Sequence, residues 1–288
     1  MRTANWKDYE LIDTSAGERL ERWGNVILIR PDPQIIWDTP KSNPMWREAN
    51  ARYLRSQTGG GNWQELKKVP SMWKINYGEL TFQLKTMGFK HTGIFPEQAV
   101  NWDFAMKKIQ ASGRPVKVLN LFGYTGAATL ACLKAGAEVC HVDASKGMVA
   151  WAKENAAASN LGDRPVRWLV DDCIKFVQRE QRRGNTYDGI IMDPPSYGRG
   201  PNGEIWKLEE QLYPLVEMCV PILSENPLFF ILNSYTTGLS PAVMGYLLNI
   251  LIQKKFGGVV SSSEIGLPVT QSGLILPCGS TAIWESRY

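Results

Sequence analysis

Val118-Leu-Asn-Leu-Phe-Gly-Tyr-Thr-Gly-Ala-Ala-Thr129 is a short apolar run that ends in two glycines three positions apart, Gly123 and Gly126, and then enters a helical pattern. Such a stretch predicts a strand, a tight turn and a helix N-terminus in direct succession. A turn of this kind brings backbone N–H groups and the positive end of a helix dipole to a ligand with negative or polar groups. A dinucleotide site favours Gly-x-Gly-x-x-Gly. Here the spacing is Gly-x-x-Gly, with Phe122 before the first glycine. Taken alone, the turn also suits a plain strand-to-helix connection in which Thr125 caps the helix.

Outward from this stretch, apolar runs alternate with helical patterns. Lys117–Phe122 is read as a strand, followed by a helix over about 126–135. Glu138–Val142, Val166–Val170, Tyr187–Met192 and Leu228–Leu232 read as further strands. Helices are expected near 146–159, 174–181, 207–222 and 241–253, and the chain ends with strands over 257–265 and 281–285. Alternation of this kind predicts an α/β fold, a mostly parallel sheet with helices on both faces. Ligands of such sheets sit beyond the carboxyl ends of the strands.

Acidic residues stand at those ends. Asp143 closes the second run, Asp171-Asp172 follows the third, and Asp193-Pro-Pro-Ser-Tyr197 follows the fourth. A carboxylate at Asp143 can accept hydrogen bonds from both hydroxyls of a ribose, or cap the helix that begins near Ser145. Asp172 can accept from an adenine amino group while the N–H of Cys173 donates to the ring, or it too can cap a helix. Two prolines fix the backbone and remove two donors, so the carbonyl at Pro194 is presented rigidly. Asp193 can face a cofactor's ammonium end.

Asn120-Leu-Phe-Gly-Tyr-Thr-Gly-Ala-Ala128, Val142-Asp-Ala-Ser145, Glu154-Asn155, Asn160-Leu161 and Asp193-Pro-Pro-Ser-Tyr197, in that order, resemble the class I S-adenosylmethionine-dependent methyltransferases. Within them, the pattern is most similar to the branch that includes the bacterial large-subunit ribosomal RNA methyltransferases making 5-methylcytosine or 7-methylguanine. The resemblance covers roughly residues 90–288. It implies a Rossmann-like methyltransferase fold with a mostly parallel seven-stranded sheet, S-adenosylmethionine as methyl donor, S-adenosylhomocysteine as product, and no metal. By the same likeness, Asn120, Phe122, Gly123, Tyr124, Thr125, Gly126, Asp143, Ala144, Ser145, Asp172, Cys173 and Asp193 would hold the cofactor. A segment like His91-Thr-Gly-Ile-Phe-Pro-Glu-Gln98 lies beside the cofactor in that branch, which adds Phe95 and Gln98. His91 itself reads as a packed histidine.

Residues 1–89 are expected to form a small β-rich region, and 90–288 the catalytic domain. Seven of the eleven tryptophans fall within residues 1–115, together with 17 Lys+Arg against 12 Asp+Glu, so the basic excess of the chain lies there. That balance suits a polyanion such as RNA, and equally an ordinary charged surface. Val26–Ile29 and Gln34–Trp37 around Pro31-Asp32-Pro33 read as one hairpin, and Met72–Leu84 with a turn at Asn76-Tyr77-Gly78 as another. Gln57-Thr-Gly-Gly-Gly-Asn62 reads as an exposed loop, and a helix is expected over about 99–111. Residues 1–85 do not carry the RNA-binding signature that cytosine methylases of the branch commonly place there.

Five cysteines without Cys-x-x-Cys spacing and two histidines speak against a disulfide framework and a zinc site. No apolar run approaches the roughly 20 residues that span a bilayer, and the first residues carry no signal core. The expectation is a reduced, cytoplasmic protein away from membranes.

Sulfonium methyl transfer is an in-line displacement in which alignment and exclusion of water do most of the work. Asp193, Pro194, Pro195 and Ser196 are the candidate catalytic residues. Tyr197 can stack on a flipped base and Arg199 can meet a phosphate, or both can be ordinary loop residues. A carbon-5 acceptor needs a cysteine nucleophile. Ser196 and Asn233-Ser234 occupy the familiar places, which leaves Cys278, itself plausible in a plain turn near the last strand. Cys132 and Cys219 read as core. The leading reading is methylation of a ribosomal RNA base. The alternatives are methylation of a small molecule or protein by the same fold, and cofactor-binding RNA association without turnover.

Overall fold

The computed structural model of the chain describes residues 1–56, 60–199, 205–236 and 238–287, without the side chain of Arg199. The expected loop at 57–62 therefore lies partly outside the described residues, as does Gly200 after Arg199. Two compact units are present. One comprises Thr3–Glu97 with Gly266–Pro277; the other comprises Met1–Arg2, Gln98–Ile265 and Cys278–Tyr288.

The first unit is built on a five-stranded sheet of β1 (Tyr9–Ser15), β2 (Glu18–Trp23), β3 (Val26–Pro31), β4 (Ala51–Arg55) and β5 (Gly61–Glu65), in chain order. All neighbours are antiparallel except β3 and β4, which run parallel with the short helix α1 (Met45–Glu48) between them. The hairpin expected at 72–84 is present as β6 (Trp73–Tyr77) and β7 (Leu80–Leu84).

The hairpin expected around Pro31-Asp32-Pro33 is not formed. Val26–Pro31 pairs instead with β2 and β4, and Gln34–Trp37 is no strand. The N–H groups of Ala16 and Gly17, in the β1–β2 turn, take the carbonyls of Trp37 and Ile35. Prolines at 31 and 33 remove two ladder donors, so a hairpin there could not pair regularly. Inside this sheet Glu21 is fully buried. It receives both Nε and Nη2 of Arg30, at 2.5 and 2.7 Å, and the hydroxyl of Tyr9 at 2.8 Å. Fully bonded in this way, the Glu21 carboxylate stays below its ordinary range despite its burial.

The second unit opens with α2 (Ala99–Ala111), whose bounds match expectation. It continues β8 (Lys117–Leu121), α3 (Ala127–Lys134), β9 (Glu138–Asp143), α4 (Lys146–Ala158), β10 (Val166–Val170), α5 (Cys173–Arg183) and β11 (Gly189–Met192). After a two-stranded ribbon, β12 (Tyr197–Arg199) and β13 (Ile205–Lys207), come α6 (Leu208–Cys219), β14 (Phe229–Ser234), α7 (Pro241–Leu248), β15 (Val259–Pro268) and β16 (Ile275–Glu285). The sheet order is β10-β9-β8-β11-β14-β16-β15, seven strands. The first five are parallel and β16 is antiparallel to β14.

Central strands of such a sheet are covered on both faces, which is why Ile190–Met192 and Phe229–Leu232 are continuous apolar runs rather than alternating ones. Tyr187, expected in the fourth strand, lies just before it. Its hydroxyl donates to Glu180 at 2.6 Å, and its backbone bridges Leu223. The helix expected over 241–253 changes to a π-turn over Asn249–Gln253, where Asn249 Nδ2 donates to the carbonyl of Gly245 at 2.8 Å. A side chain bonded to a helix carbonyl competes with the regular ladder.

Candidate functional site

The glycine turn is strained and held from several sides. Phe122 and Tyr124 have φ of 57° and 50°, and Gly126 has 86°. A bulky residue in the left-handed region costs on the order of 1–3 kcal/mol and persists only where its surroundings enforce it. The N–H of Phe122 donates to the Cys173 sulfur at 3.3 Å, that of Gly123 to the carbonyl of Val142 at 3.0 Å, and that of Tyr124 to Asp143 Oδ2 at 2.8 Å. Asn155 Nδ2, from α4, donates to the carbonyl of Thr125 at 2.9 Å. Helix α3 takes Gly126 as its N-cap residue, in the left-handed conformation.

His141 forms the floor of the turn. A Cβ on Gly123 would fall 2.4–2.9 Å from its ring atoms, so only glycine fits there. His141 Nδ1 and Thr129 Oγ1 are 2.9 Å apart, and Asn120 Nδ2 donates to the same hydroxyl at 2.9 Å. Burial pushes the imidazole down to about 3, so it is neutral at ordinary pH. Asn120 thus stands below the turn, bonded to Thr129.

Both oxygens of Asp143 accept backbone N–H groups: Oδ2 from Tyr124, and Oδ1 from Ser145 at 2.8 Å. Ser145, not Asp143, caps α4; its Oγ accepts from the N–H of Met148 at 3.4 Å. Ala144 between them is exposed. Asp172 caps α5 through Oδ1 and the N–H of Lys175 at 2.9 Å, and is exposed. Cys173 is buried, and burial pushes its thiol well above the usual range. Its sulfur serves as acceptor for the turn rather than as a reactive group.

The Asp193-Pro-Pro-Ser196 loop leaves β11 beside the end of β8. Three bonds fix its later half. Trp206 Nε1 donates to the carbonyl of Pro195 at 2.5 Å, the N–H of Leu208 to the carbonyl of Ser196 at 3.1 Å, and Thr236 Oγ1 to Ser196 Oγ at 2.6 Å. Tyr197 opens β12 and is 51% exposed. Arg199 ends the same strand; its side chain lies outside the described residues.

Gln98 joins a buried polar cluster at the end of β14. Its Nε2 donates to the Tyr235 hydroxyl at 2.9 Å, and its Oε1 accepts from Asn101 Nδ2, which also donates to Asn233 at 2.9 Å. Thr281 completes the cluster with a bond to Asn101 of 3.5 Å. Phe95 belongs to the first unit, its ring 5.0 Å from that of His91. Burial first, then the nearby Arg30 and Lys90 charges, pushes His91 down to about 3. Cys278 lies in β16 rather than in a turn, and is buried.

Sequence reasoning did not single out Asn101, Trp206, Tyr235 or Thr236. Polar residues directly after the apolar run of β14 were the available signal for Tyr235 and Thr236. Nothing local marks Trp206. Among the described residues, no group of three or more His, Cys, Asp or Glu side chains is placed to hold a metal ion. None of their helices is long and apolar enough to cross a membrane.

Residues 41–226 match the family model of S-adenosylmethionine-dependent methyltransferases. The crystal structure of a SAM-dependent methyltransferase from Agrobacterium tumefaciens is 37% identical, covers 99% of this chain and 92% of its own, and superposes with a TM-score of 0.93. A Streptococcus mutans structure described as a SAM-dependent methyltransferase shares the fold at 19% identity, with a TM-score of 0.72 and 98% and 76% coverage. Among curated proteins, the ribosomal RNA large subunit methyltransferase K/L of Shewanella oneidensis is 31% identical over 59% of this chain. The match spans only 23% of that relative's length.

Proposed function

This chain belongs to the S-adenosylmethionine-dependent methyltransferase family, and from that premise we propose that it methylates a base of ribosomal RNA. The observation that carries the site assignment is the gathering of the strained turn, Asp143, Asp172 and the Asp193–Ser196 loop at the carboxyl ends of adjacent parallel strands. The residues suit the cofactor. Gly123 has no room for a Cβ, and Asp143 is held with both oxygens aimed by backbone donors. When bound, the cofactor supplies an electrophilic methyl group on a sulfonium.

In this reading Phe122–Gly126 cradle the cofactor with Asn120 beneath, and Asp143, Ala144 and Ser145 receive its ribose. Asp172 and the N–H of Cys173 meet its adenine, while Asp193, Gln98 and Phe95 approach its methionine end. Pro194 presents its carbonyl to the acceptor, and Pro195 and Ser196 keep that segment rigid. Tyr197 stacks on the base and Arg199 meets the backbone. Residues 1–89 engage RNA and 90–288 carry out the reaction; the site of action is the cytoplasm. The named K/L relatives and the basic, tryptophan-rich N-terminal region support an RNA acceptor.

The test is methyl transfer from labelled cofactor to separate pools of RNA, protein and metabolites. Label in ribosomal RNA, and one modified nucleotide missing from the ribosomal RNA of a strain without this protein, is the expected result. Label confined to protein would overturn the RNA acceptor. For a carbon-5 acceptor, Cys278→Ala must abolish turnover; full activity would remove Cys278 as nucleophile.

A further inference from the structure

We infer that Trp206 is a positioning residue that holds the acceptor loop and the cofactor turn in one arrangement. Its indole N–H donates to the carbonyl of Pro195 at 2.5 Å, and its ring lies 5.7 Å from that of Phe122 at 49°. One side chain therefore grips the Asp193–Ser196 loop by hydrogen bond and the glycine turn by aromatic contact. Both rings are partly buried against the same apolar core, while the hydrogen bond to Pro195 lies at the surface.

The ribbon geometry fixes where Trp206 can reach. It stands opposite Gly198 in the β12–β13 pair, where a Cβ on residue 198 would come 3.6 Å from its own Cβ. Leu208, two residues on, donates its N–H to the carbonyl of Ser196 at 3.1 Å. The carbonyls of Pro195 and Ser196 are thus both engaged by the segment that carries Trp206. This orients the peptide units on either side of Ser196, which follow Pro194 in the same loop. On the other side, Phe122 holds a left-handed conformation that its surroundings must enforce. Removing the indole frees both elements at once; removing only its N–H frees the loop alone.

This inference rests on the loop being the acceptor side, and two variants separate the two ideas. Trp206→Phe keeps a ring against Phe122 and loses the donor; Trp206→Ala loses both. Calorimetric titration with S-adenosylhomocysteine should give Trp206→Phe a Kd within about twofold of the parent, and Trp206→Ala a Kd about tenfold weaker. With deproteinised ribosomal RNA as acceptor, Trp206→Phe should lose about tenfold in kcat through misalignment of the loop, with stability lowered by no more than one hydrogen bond contributes. Parent-like cofactor affinity in Trp206→Ala overturns the link to the turn. Parent-like kcat in Trp206→Phe overturns the link to the loop. If the parent protein labels no RNA, the acceptor assignment fails by itself, and the cofactor titrations still decide whether Trp206 positions the turn.

Discussion

The backbone N–H of Tyr124 donates to Asp143 Oδ2 at 2.8 Å, so the glycine turn after one strand is tied to the carboxylate that ends the next. Tyr124 sits at φ 50°, and this bond helps hold it there. Asp143→Ala removes the acceptor of two backbone N–H groups and the proposed ribose ligand together. The expected result is cofactor Kd weakened by more than about 100-fold, from two bonds to a charged group at about 1.5–3 kcal/mol each. Isothermal titration with S-adenosylhomocysteine reads it; unchanged affinity would remove Asp143 from the site.

Gly123→Ala tests the floor of the turn. Its added Cβ meets the His141 ring at 2.4–2.9 Å, and that ring is anchored through Thr129. The expected cost is about 1–3 kcal/mol of stability from overpacking, together with loss of cofactor affinity. Gly123→Ala combined with His141→Ala should recover part of both, measured by denaturant unfolding and titration. No recovery in the double variant would mean that the clash is not the cause.

Asp172 carries two assignments that one substitution separates. Serine caps helices as well as aspartate does, but is too short to replace its carboxylate toward an adenine amine. Asp172→Ser should therefore unfold within about 0.5 kcal/mol of the parent, while cofactor Kd weakens about tenfold. Equal affinity in the two proteins would reduce Asp172 to a helix cap.

The two histidines set an acid limit on stability. Burial pushes His91 and His141 each down to about 3 in the folded protein, whereas an unfolded histidine titrates near 6.5. Between these values the unfolded chain binds the proton and the folded one does not. Their contribution is therefore intact above about pH 6.5 and falls as pH drops toward 3, by about 1.4 kcal/mol per unit for each histidine. His141→Gln should flatten this slope by about one proton's worth between pH 6 and 4. An unchanged slope in urea unfolding across that range would show that His141 is not a buried neutral group.

Much of the larger unit was legible because its signals are local. Val118–Leu121, Val166–Val170 and Ala99–Ala111 declare themselves by apolar run or helical spacing, and the observed elements begin and end within a residue or two of those patterns. The first unit hid some of its strands. Glu18-Arg-Leu-Glu-Arg-Trp23 carries four charged residues in six, yet Glu21 lies fully buried in β2 because Arg30 and Tyr9 bring their donors to it from neighbouring strands. The false hairpin at Pro31–Pro33 has the same origin. Its flanking residues found other partners along the β1–β2 turn and in β4.

The sequence by itself determined the alternation of the main strands and helices of the larger unit, the Gly-x-x-Gly turn and the acidic residues at strand ends, since each depends on neighbours within a few positions. Tertiary structure decided which groups those residues meet. It set Cys173 and Asp143 as acceptors for the turn, His141 beneath Gly123, the Gln98–Asn101–Asn233 cluster, and the reach of Trp206 to Phe122 and Pro195. The bonds from Tyr124 to Asp143 and from Asn101 to Asn233 join residues 19 and 132 positions apart. Buried polar groups must find partners wherever the fold brings them, and no local spacing records which partner that is.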